Sequence, residues 1–229
     1  MDKELAIAQA LKYAEELRTL HASERRQRRA AEEALEGLED SYRTTVHALA
    51  AALELRDDHT GGHAERVTKL ALELTRRVAP ELADDPKLEY GFLLHDIGKI
   101  GIRDAVLLKP GALAPAEVQE MRNHIRLGER VVAQIPYLDG VALDVVAAHH
   151  ERWDGYGYPQ GLKGSDIPLA ARIFAIVDAF DAMTNDRPYR KAKPVEAALT
   201  EVERGAGRQF DPELVAEFLT LVRELRSAA

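Results

Sequence analysis

The sequence predicts an all-α protein in which a long N-terminal helix precedes a globular helical part. Residues 1–45 contain no proline and a single glycine among Ala, Glu, Leu and Arg, a composition typical of a long helix. Further along, apolar residues recur at helical spacing, and several prolines stand where a first helical turn would begin. No convincing series of alternating apolar and polar residues, the pattern typical of strands, occurs.

The N-terminal helix has a seam of residues at 3–4 spacing, apolar at both ends and polar in the middle. A single chain cannot bury such a seam, so the pattern favours a coiled coil and a homodimer. A solvated single helix is the alternative. Because the pattern becomes globular from about residue 46, we expect two domains, residues 1–45 and residues 46–229. The seam consists of Ile7, Ala10, Ala14, Leu17, His21, Glu24, Arg28, Ala31, Leu35, Leu38, Tyr42, Thr45 and Leu49.

The globular part contains a series of predicted helices. An apolar stripe from Val67 to Val78 follows "HTGGH" and predicts the first of them. The "WDGYGYPQGLKGSD" stretch, residues 153–166, is too rich in turn residues for a helix and predicts a loop. The other predicted helices cover residues 114–135, 141–150, 169–184, 195–204 and 212–226, with Pro115, Pro168, Pro194 and Pro212 at or beside four of their starts.

Composition excludes several classes of protein. The net charge of -8 and the pI near 5.5 argue against a general nucleic-acid or anionic-membrane binder. Without cysteine, the chain has no disulfides or thiolate ligands, so any metal must be held by nitrogen and oxygen. No apolar stretch is long enough for a signal peptide or for membrane insertion, and we therefore expect a cytoplasmic protein.

The stretch "LLHDIGKIGI" places His95 and Asp96 directly after an apolar run. Polar groups in such a place cost stability unless something charged compensates them, and a metal ion is the obvious candidate. Six of the eight histidines lie at predicted helix ends or beside glycine, each next to another polar group. They are His59, His63, His95, His124, His149 and His150.

Aspartates complete this candidate site. Asp178 sits in the apolar "ARIFAIVDAFDAM", where a metal explains an ionised carboxylate better than a salt bridge to arginine does. Asp181, on the same helix face, is suited to orient a ligand histidine. Asp96 is suited to bridge two ions, because a carboxylate has two oxygens. Adjacent residues of a helix point about 100° apart, so His149 and His150 are expected to serve two neighbouring ions.

A nitrogen and oxygen ligand set suits Fe, Mn, Ni or Zn. Two such ions about 3.5–4 Å apart form the usual clamp for phosphoester hydrolysis. Lys99, three residues after Asp96, would share its face on a continuing helix turn.

Several long motifs resemble the HD-GYP family, a branch of the HD superfamily of metal-dependent phosphohydrolases. They are "GGHAERV", "HDIGKIGIRDAVLLKPGAL", "MRNHIRLG", "HHERWDGYGYPQGLKGSDIPLAARI", "VDAFDAMTNDRPYR" and "GAGRQFDPELV", and the resemblance extends over residues 57 to about 219. The resemblance implies an HD-type helical bundle. It also implies hydrolysis of cyclic di-GMP to linear pGpG, and on to GMP in many members.

The resemblance implies roles for individual residues. The metal ligands would be His63, His95, Asp96, His124, His149, His150 and Asp178. Asp96 would bridge two transition-metal ions, with Fe or Mn expected ahead of Ni or Zn, and a bridging hydroxide would attack phosphorus. Lys99 would hold the scissile phosphate. Gly157 and Tyr158 would line the substrate cleft, and Arg187 and Arg190 would hold guanine or phosphate.

One position departs from members of the family that bind a third metal. Those members carry a glutamate four residues before the first histidine, where this chain has His59. Imidazole cannot bridge two ions through separate oxygens. A binuclear site is therefore expected, and a third ion requires that His59 act as a ligand.

Other functions stay open on the sequence. The chain could cleave another cyclic dinucleotide such as cyclic GMP-AMP. It could also be a non-catalytic receptor for cyclic di-GMP that signals through the N-terminal helix, or a module that binds a partner signalling domain. The N-terminal segment resembles the helices that join sensor modules to output domains.

Overall fold

A computed structural model of the chain describes residues 3–57, 62–186 and 191–227. Within these ranges the regular structure is helical and no β-strand is formed, apart from one isolated bridge between Ala206 and Phe210. The all-α prediction is therefore confirmed. The helices are α1 (Lys3–Asp57), α2 (His63–Val78), α3 (Pro80–Ala83), α4 (Pro86–Leu93), α5 (Asp104–Leu107), α6 (Pro115–Arg122), α7 (His124–Val132), α8 (Val141–Ala148), α9 (Leu169–Thr184), α10 (Val195–Arg204) and α11 (Pro212–Ser227).

The chain forms two compact units, Met1–Thr45 and Val46–Ala229. In the first unit α1 exposes its large apolar side chains, among them Leu17 and Leu38, which are each 54% exposed. From Val46 onward, α1 belongs to the second unit and begins to bury apolar residues: Val46, Ala50 and Leu53 are all in its core. No helix in the described part of the chain has the length and apolar character needed to cross a membrane.

The core of the second unit is built mainly from α2, α9 and α11. Val67 and Leu74 of α2, Phe174 of α9 and Phe218 of α11 are fully buried in one cluster. Phe174 also stacks on Phe92 at the end of α4, with ring centroids 5.2 Å apart. His95 and Asp96 follow shortly after Phe92, so this stack places them beside the middle of α9.

Proline positions agree with the predicted helix starts. Pro115 and Pro212 are the first residues of α6 and α11, where a missing N–H costs nothing. Pro168 and Pro194 immediately precede α9 and α10. The predictions for residues 169–184 and 195–204 match the observed helices.

Two helix predictions were wrong in ways that matter for the site. The predicted helix over residues 114–135 is divided at Asn123 into α6 and α7. The start of α7 packs closely on Gly98, where a Cβ would lie 1.8 Å from the carbonyl oxygen of His124, so only glycine permits this approach. The predicted helix over residues 141–150 ends at Ala148, so His149 and His150 lie in the turn that follows.

Candidate metal centre

The first ligand cluster combines residues from three separated segments. Asp96, His124, His149 and His150 each place a ligand atom within 4.8 Å of the others. Asp96 follows α4, His124 begins α7, and the two other histidines follow α8. His149 and His150 therefore belong to one cluster, whereas a regular helix predicts one ion for each. The chain leaves α8 after Ala148, and the rings of His149 and His150 lie side by side with centroids 4.3 Å apart.

The second cluster consists of His63, His95 and Asp178, whose ligand atoms meet the same 4.8 Å limit. His63 is the first residue of α2 and Asp178 lies in the middle of α9. Their closest atoms, His63 Nε2 and Asp178 Oδ1, are 3.5 Å apart. The two clusters together contain all seven ligands that the resemblance implied.

Asp96 lies between the clusters, with its two oxygens turned to different partners. Oδ1 is 3.3 Å from Nε2 of His124 and 3.9 Å from Nε2 of His149, both of the first cluster. Oδ2 is 3.2 Å from Nε2 of His95, of the second cluster, and 2.7 Å from Nζ of Lys99. Lys99 reaches Asp96 from the 3₁₀ turn Ile97–Gly101, so the predicted shared face is provided by a turn tighter than an α-helix.

The donor atoms fit a metal. Nε2 of His95, His124 and His149 and Oδ1 of Asp96 are buried without a hydrogen-bond partner. Buried polar atoms are rarely left in this state, and nitrogen and oxygen lone pairs that converge are the natural environment of a divalent transition metal. The residues present therefore fit the cations that the family implies.

The tautomers of three histidines are set by backbone carbonyls. Nδ1 of His95 lies 2.8 Å from the carbonyl oxygen of Phe92, and Nδ1 of His124 lies 2.7 Å from that of Met121. Nδ1 of His149 lies 3.1 Å from the carbonyl oxygen of Val145. Because a carbonyl only accepts, each Nδ1 carries the proton, and each Nε2 keeps its lone pair toward the cluster.

His63 is oriented by a side chain instead. Its Nδ1 lies 2.7 Å from Oδ2 of Asp181, and Asp181 Oδ1 in turn accepts hydrogen bonds from Arg66 Nε at 2.9 Å and Asn185 Nδ2 at 2.8 Å. This is the role predicted for Asp181 from its place one turn after Asp178. A carboxylate behind a ligand histidine fixes the ring and raises its basicity.

The pKa shifts of three histidines and of Asp96 favour metal binding, whereas that of His95 does not. Burial lowers the pKa of His149 well below its ordinary value and that of His150 to about 4, so both rings are neutral near pH 7. Burial also lowers the pKa of His124. Burial alone would raise the pKa of Asp96, but Lys99 and His95 outweigh it and hold that pKa well below the usual range. Burial likewise acts to lower the pKa of His95, yet the neighbouring Asp96 raises it on balance.

The "GYP" loop packs directly on the first cluster. The Tyr158 ring stacks on His150, with centroids 4.8 Å apart and planes 28° apart, and burial raises the pKa of its hydroxyl to about 12. A Cβ on Gly157 would lie 2.4 Å from the backbone nitrogen of Arg152, so only glycine permits this approach. His150, Tyr158 and Asp178 line one cleft of about 500 Å³.

Sequence reasoning missed two residues of this cleft. The Arg122 guanidinium lies 4.7 Å from the centroid of the Tyr158 ring, a cation–π distance. Glu151 is buried, and its Oε1 accepts hydrogen bonds from the backbone of Gln160 and Gly161 at 2.7 and 3.1 Å. The signal for Glu151 was its position immediately after "HH" and before a glycine-rich loop. His59, Arg187 and Arg190 lie outside the described residues.

Comparisons with known proteins show which family this chain is similar to. Residues 47–214 match the family model of the HD domain. The chain is 39% identical over 199 residues to a cyclic di-GMP phosphodiesterase of Thermotoga maritima, covering 86% of this chain and 54% of the relative. It is 37% identical over 180 residues to 3′3′-cGAMP-specific phosphodiesterase 3 of Vibrio cholerae, covering 78% of this chain and 39% of that one.

The chain thus spans about half the length of the curated relatives it matches, or less. Among solved structures, a cyclic GMP-AMP specific phosphodiesterase of V. cholerae superposes with a TM-score of 0.63 at 23% identity, covering 80% of this chain and 49% of that chain. Likeness at this identity shows the fold. With the family match, the motifs and the two ligand clusters taken together, the chain belongs to the HD domain family, in its HD-GYP branch.

Proposed function

We propose that this chain contains the catalytic domain of a metal-dependent phosphodiesterase that hydrolyses cyclic di-GMP to linear pGpG, with further cleavage to GMP as a second step. The observation that carries the proposal is the position of Asp96. Its two oxygens face different ligand clusters, and Lys99 lies 2.7 Å from one of them. A cyclic di-GMP phosphodiesterase of T. maritima is 39% identical to this chain, which supports the same substrate class.

The proposed cofactor is a pair of transition-metal ions, Fe or Mn ahead of Ni or Zn, held by the seven ligands of the two clusters. Bound there, the ions would supply a water made acidic near neutral pH and would neutralise charge on the phosphate oxygens. A third ion would require His59, which lies outside the described residues.

The protein's own groups would hold and orient the substrate. Lys99 adds a fixed positive charge beside Asp96, where the phosphate would lie, and such a charge stabilises the transition state more than the ground state. Tyr158 and Arg122 form one wall of the cleft, with an aromatic face and a cation suited to a guanine base or a second phosphate. We propose that Gly157 lets the loop approach and that Arg187 and Arg190 add further contacts.

A second candidate substrate is 3′3′-cyclic GMP-AMP, because a V. cholerae relative specific for it is 37% identical to this chain. The test is incubation of Mn- or Fe-loaded protein with each cyclic dinucleotide, with products separated by chromatography. We expect cyclic di-GMP to yield pGpG. Cleavage of cyclic GMP-AMP alone would change the assigned substrate, and binding of cyclic di-GMP without cleavage would support the receptor function instead.

We also propose that the chain is a homodimer formed through residues 1–45. The seam residues Leu17, Leu35 and Leu38 are 54–56% exposed in one chain, and a second copy of the same seam would cover them. Light scattering should give a dimer for the protein and a monomer for Leu38→Glu. Leu5→Glu, at a position off the seam, is the matched control and should stay dimeric. A cytoplasmic location and contact with a partner signalling domain also belong to this proposal.

A further inference from the structure

The last turn of α1 contacts two segments that carry residues of the metal centre. Glu54 and Arg56 are two positions apart, so their side chains leave the helix about 200° apart. Glu54 reaches the start of α2, and Arg56 reaches the segment from Lys99 to Asp104. This turn therefore lies between the segment of His63 and the segment of Lys99.

Glu54 supplies the cap that α2 lacks. The residue before the helix is Gly62, at a φ of 75° and without a side chain to accept a hydrogen bond. Glu54 Oε2 accepts the N–H of Gly62 at 2.7 Å, and Oε1 accepts the N–H of Ala64. The two bonds flank His63, and a carboxylate at a helix N-terminus is favoured by the helix dipole. The backbone of this ligand is therefore held on both sides by one side chain.

Arg56 holds the other segment through its carbonyls. Nη1 donates to the carbonyl oxygens of Lys99 at 2.9 Å and Ile100 at 2.6 Å, and Nη2 donates to that of Ile102 and to Asp104 Oδ1 at 2.8 Å. The same segment is packed closely against α7 through Gly98. Lys99 is thus presented to Asp96 from a 3₁₀ turn held by α7 and by the guanidinium of α1.

We infer that Glu54 and Arg56 are positioning residues, which connect the end of α1 to the segment of His63 and to the segment of Lys99. Glu54 sets the place of His63, and Arg56 sets the place of Lys99. Neither side chain is itself a ligand. A displacement of this turn would move a metal ligand and the phosphate-binding lysine together. The inference deepens the proposed function and rests on it for its kinetic consequence.

The test uses the whole chain with Glu54→Gln and Arg56→Gln. A glutamine at position 54 has one acceptor oxygen in place of two, and a glutamine at position 56 cannot reach several carbonyls at once. We expect Glu54→Gln to weaken Mn²⁺ binding about tenfold in calorimetry, in the range found for groups that orient ligands. We expect Arg56→Gln to lower kcat about tenfold while Mn²⁺ affinity changes less than threefold, because Lys99 is not a ligand.

Two matched variants control for general loss of stability. Glu117→Gln removes another carboxylate that accepts a backbone N–H at a helix start, that of Ala114 at 2.7 Å. Arg77→Gln removes another arginine with several partners, Glu217 and Glu224. Both should leave metal affinity and kcat within twofold of the unchanged protein. Should Arg56→Gln fail to fold, Arg56→Lys takes its place with the same expectations.

Hydrogen exchange of the metal-free protein gives a readout that needs no activity. Peptides covering residues 62–66 should exchange faster in Glu54→Gln alone, and those covering 97–104 faster in Arg56→Gln alone. If both variants match their controls in exchange, metal affinity and kcat, the inference is wrong. If the unchanged protein cleaves no cyclic dinucleotide, the proposed function is wrong, while exchange and metal binding still decide the inference.

Discussion

In the described part of the metal centre, the Nδ1 atoms of four histidines are held in two different ways, by backbone carbonyls or by a side chain. His95, His124 and His149 donate to carbonyls three or four residues earlier in their own segments. His63 depends on Asp181, which lies 118 positions away in the chain. The first kind is oriented by local backbone and is insensitive to distant side chains. The second kind is oriented by a network of Asp181, Arg66 and Asn185, so a single substitution can release it.

Burial follows the same division. The side chains of His95, His124 and His149 are 0–3% exposed, whereas His63 is 14% exposed and Asp178 is 23% exposed. His124 and His149 of the first cluster are buried, whereas the second cluster combines the buried His95 with the more exposed His63 and Asp178, so we expect the second cluster to be the less rigid one. We expect the ion of the Asp96, His124, His149 and His150 cluster to bind more tightly than the ion of the His63, His95 and Asp178 cluster.

We expect the largest effect from substitution of Asp96, whose oxygens face both clusters. Asp96→Ala deletes both oxygens that face the two clusters and removes the carboxylate beside Lys99. We expect turnover to fall by more than about 1,000-fold, since removing a group that acts directly at the reacting centre costs this much, and bound metal to decrease. Metal analysis and product chromatography measure this. Asp139→Ala, an exposed residue paired with Lys87, is the control. Full metal and full activity in Asp96→Ala would refute the bridging role.

Asp181→Asn tests whether His63 depends on a distant side chain for its orientation, unlike the other three histidines. The neutral amide weakens the hold on His63, so we expect one of two Mn²⁺ affinities to fall about 10–100-fold while the other stays constant. Two-site calorimetry gives both values. Asp211→Asn is the matched control, because Asp211 is also buried and paired with an arginine, Arg172 at 2.7 Å. Equal weakening of both affinities would show that the clusters are not built differently.

Acid should destabilise the metal-free protein through the buried histidines. The pKa of His150 is lowered to about 4 and that of His149 well below 6.5. The unfolded chain therefore binds more protons than the folded one once pH drops below about 6.5. Stability is full above that pH and falls as pH decreases toward 4, by up to about 1.4 kcal/mol per pH unit for each group.

Urea denaturation in the presence of a chelator, between pH 4 and pH 7, measures this slope. His150→Gln should give a shallower slope, and His21→Gln, at an exposed position of α1, should leave it unchanged. A slope that His150→Gln does not alter would mean that this ring is accessible to protons in the folded chain.

We expect the smallest effect from substitution of Arg122, which contacts Tyr158 in the wall of the cleft next to His150. Arg122→Ala removes a cation from the cleft wall beside Tyr158 without removing a ligand, so we expect KM to rise about fivefold, as for the loss of one substrate contact worth about 1 kcal/mol. Metal content should not change. Arg130→Ala, at an exposed position of α7, is the control. A loss of metal in Arg122→Ala would place this residue within the metal centre.

The helical class and the nitrogen and oxygen donors of the proposed metal centre could be predicted from the sequence alone. Apolar spacing and proline positions are local properties, and they placed α9 and α10 at their observed bounds. The pairing of His95 with Asp96 after an apolar run indicated a cation, because polar groups in such a place cost stability unless a charge compensates them.

The grouping of these donors into two clusters could not be predicted from the sequence, because it depends on the tertiary fold. His149 and His150 fall in one cluster at the end of α8, and α7 begins anew at His124, where Gly98 packs on its backbone. The contacts of Glu54, Arg56 and Arg122 join residues that are distant in the chain or in a separate loop. Such contacts depend on which segments the folded backbone brings together, and the local spacing of residues does not predict this.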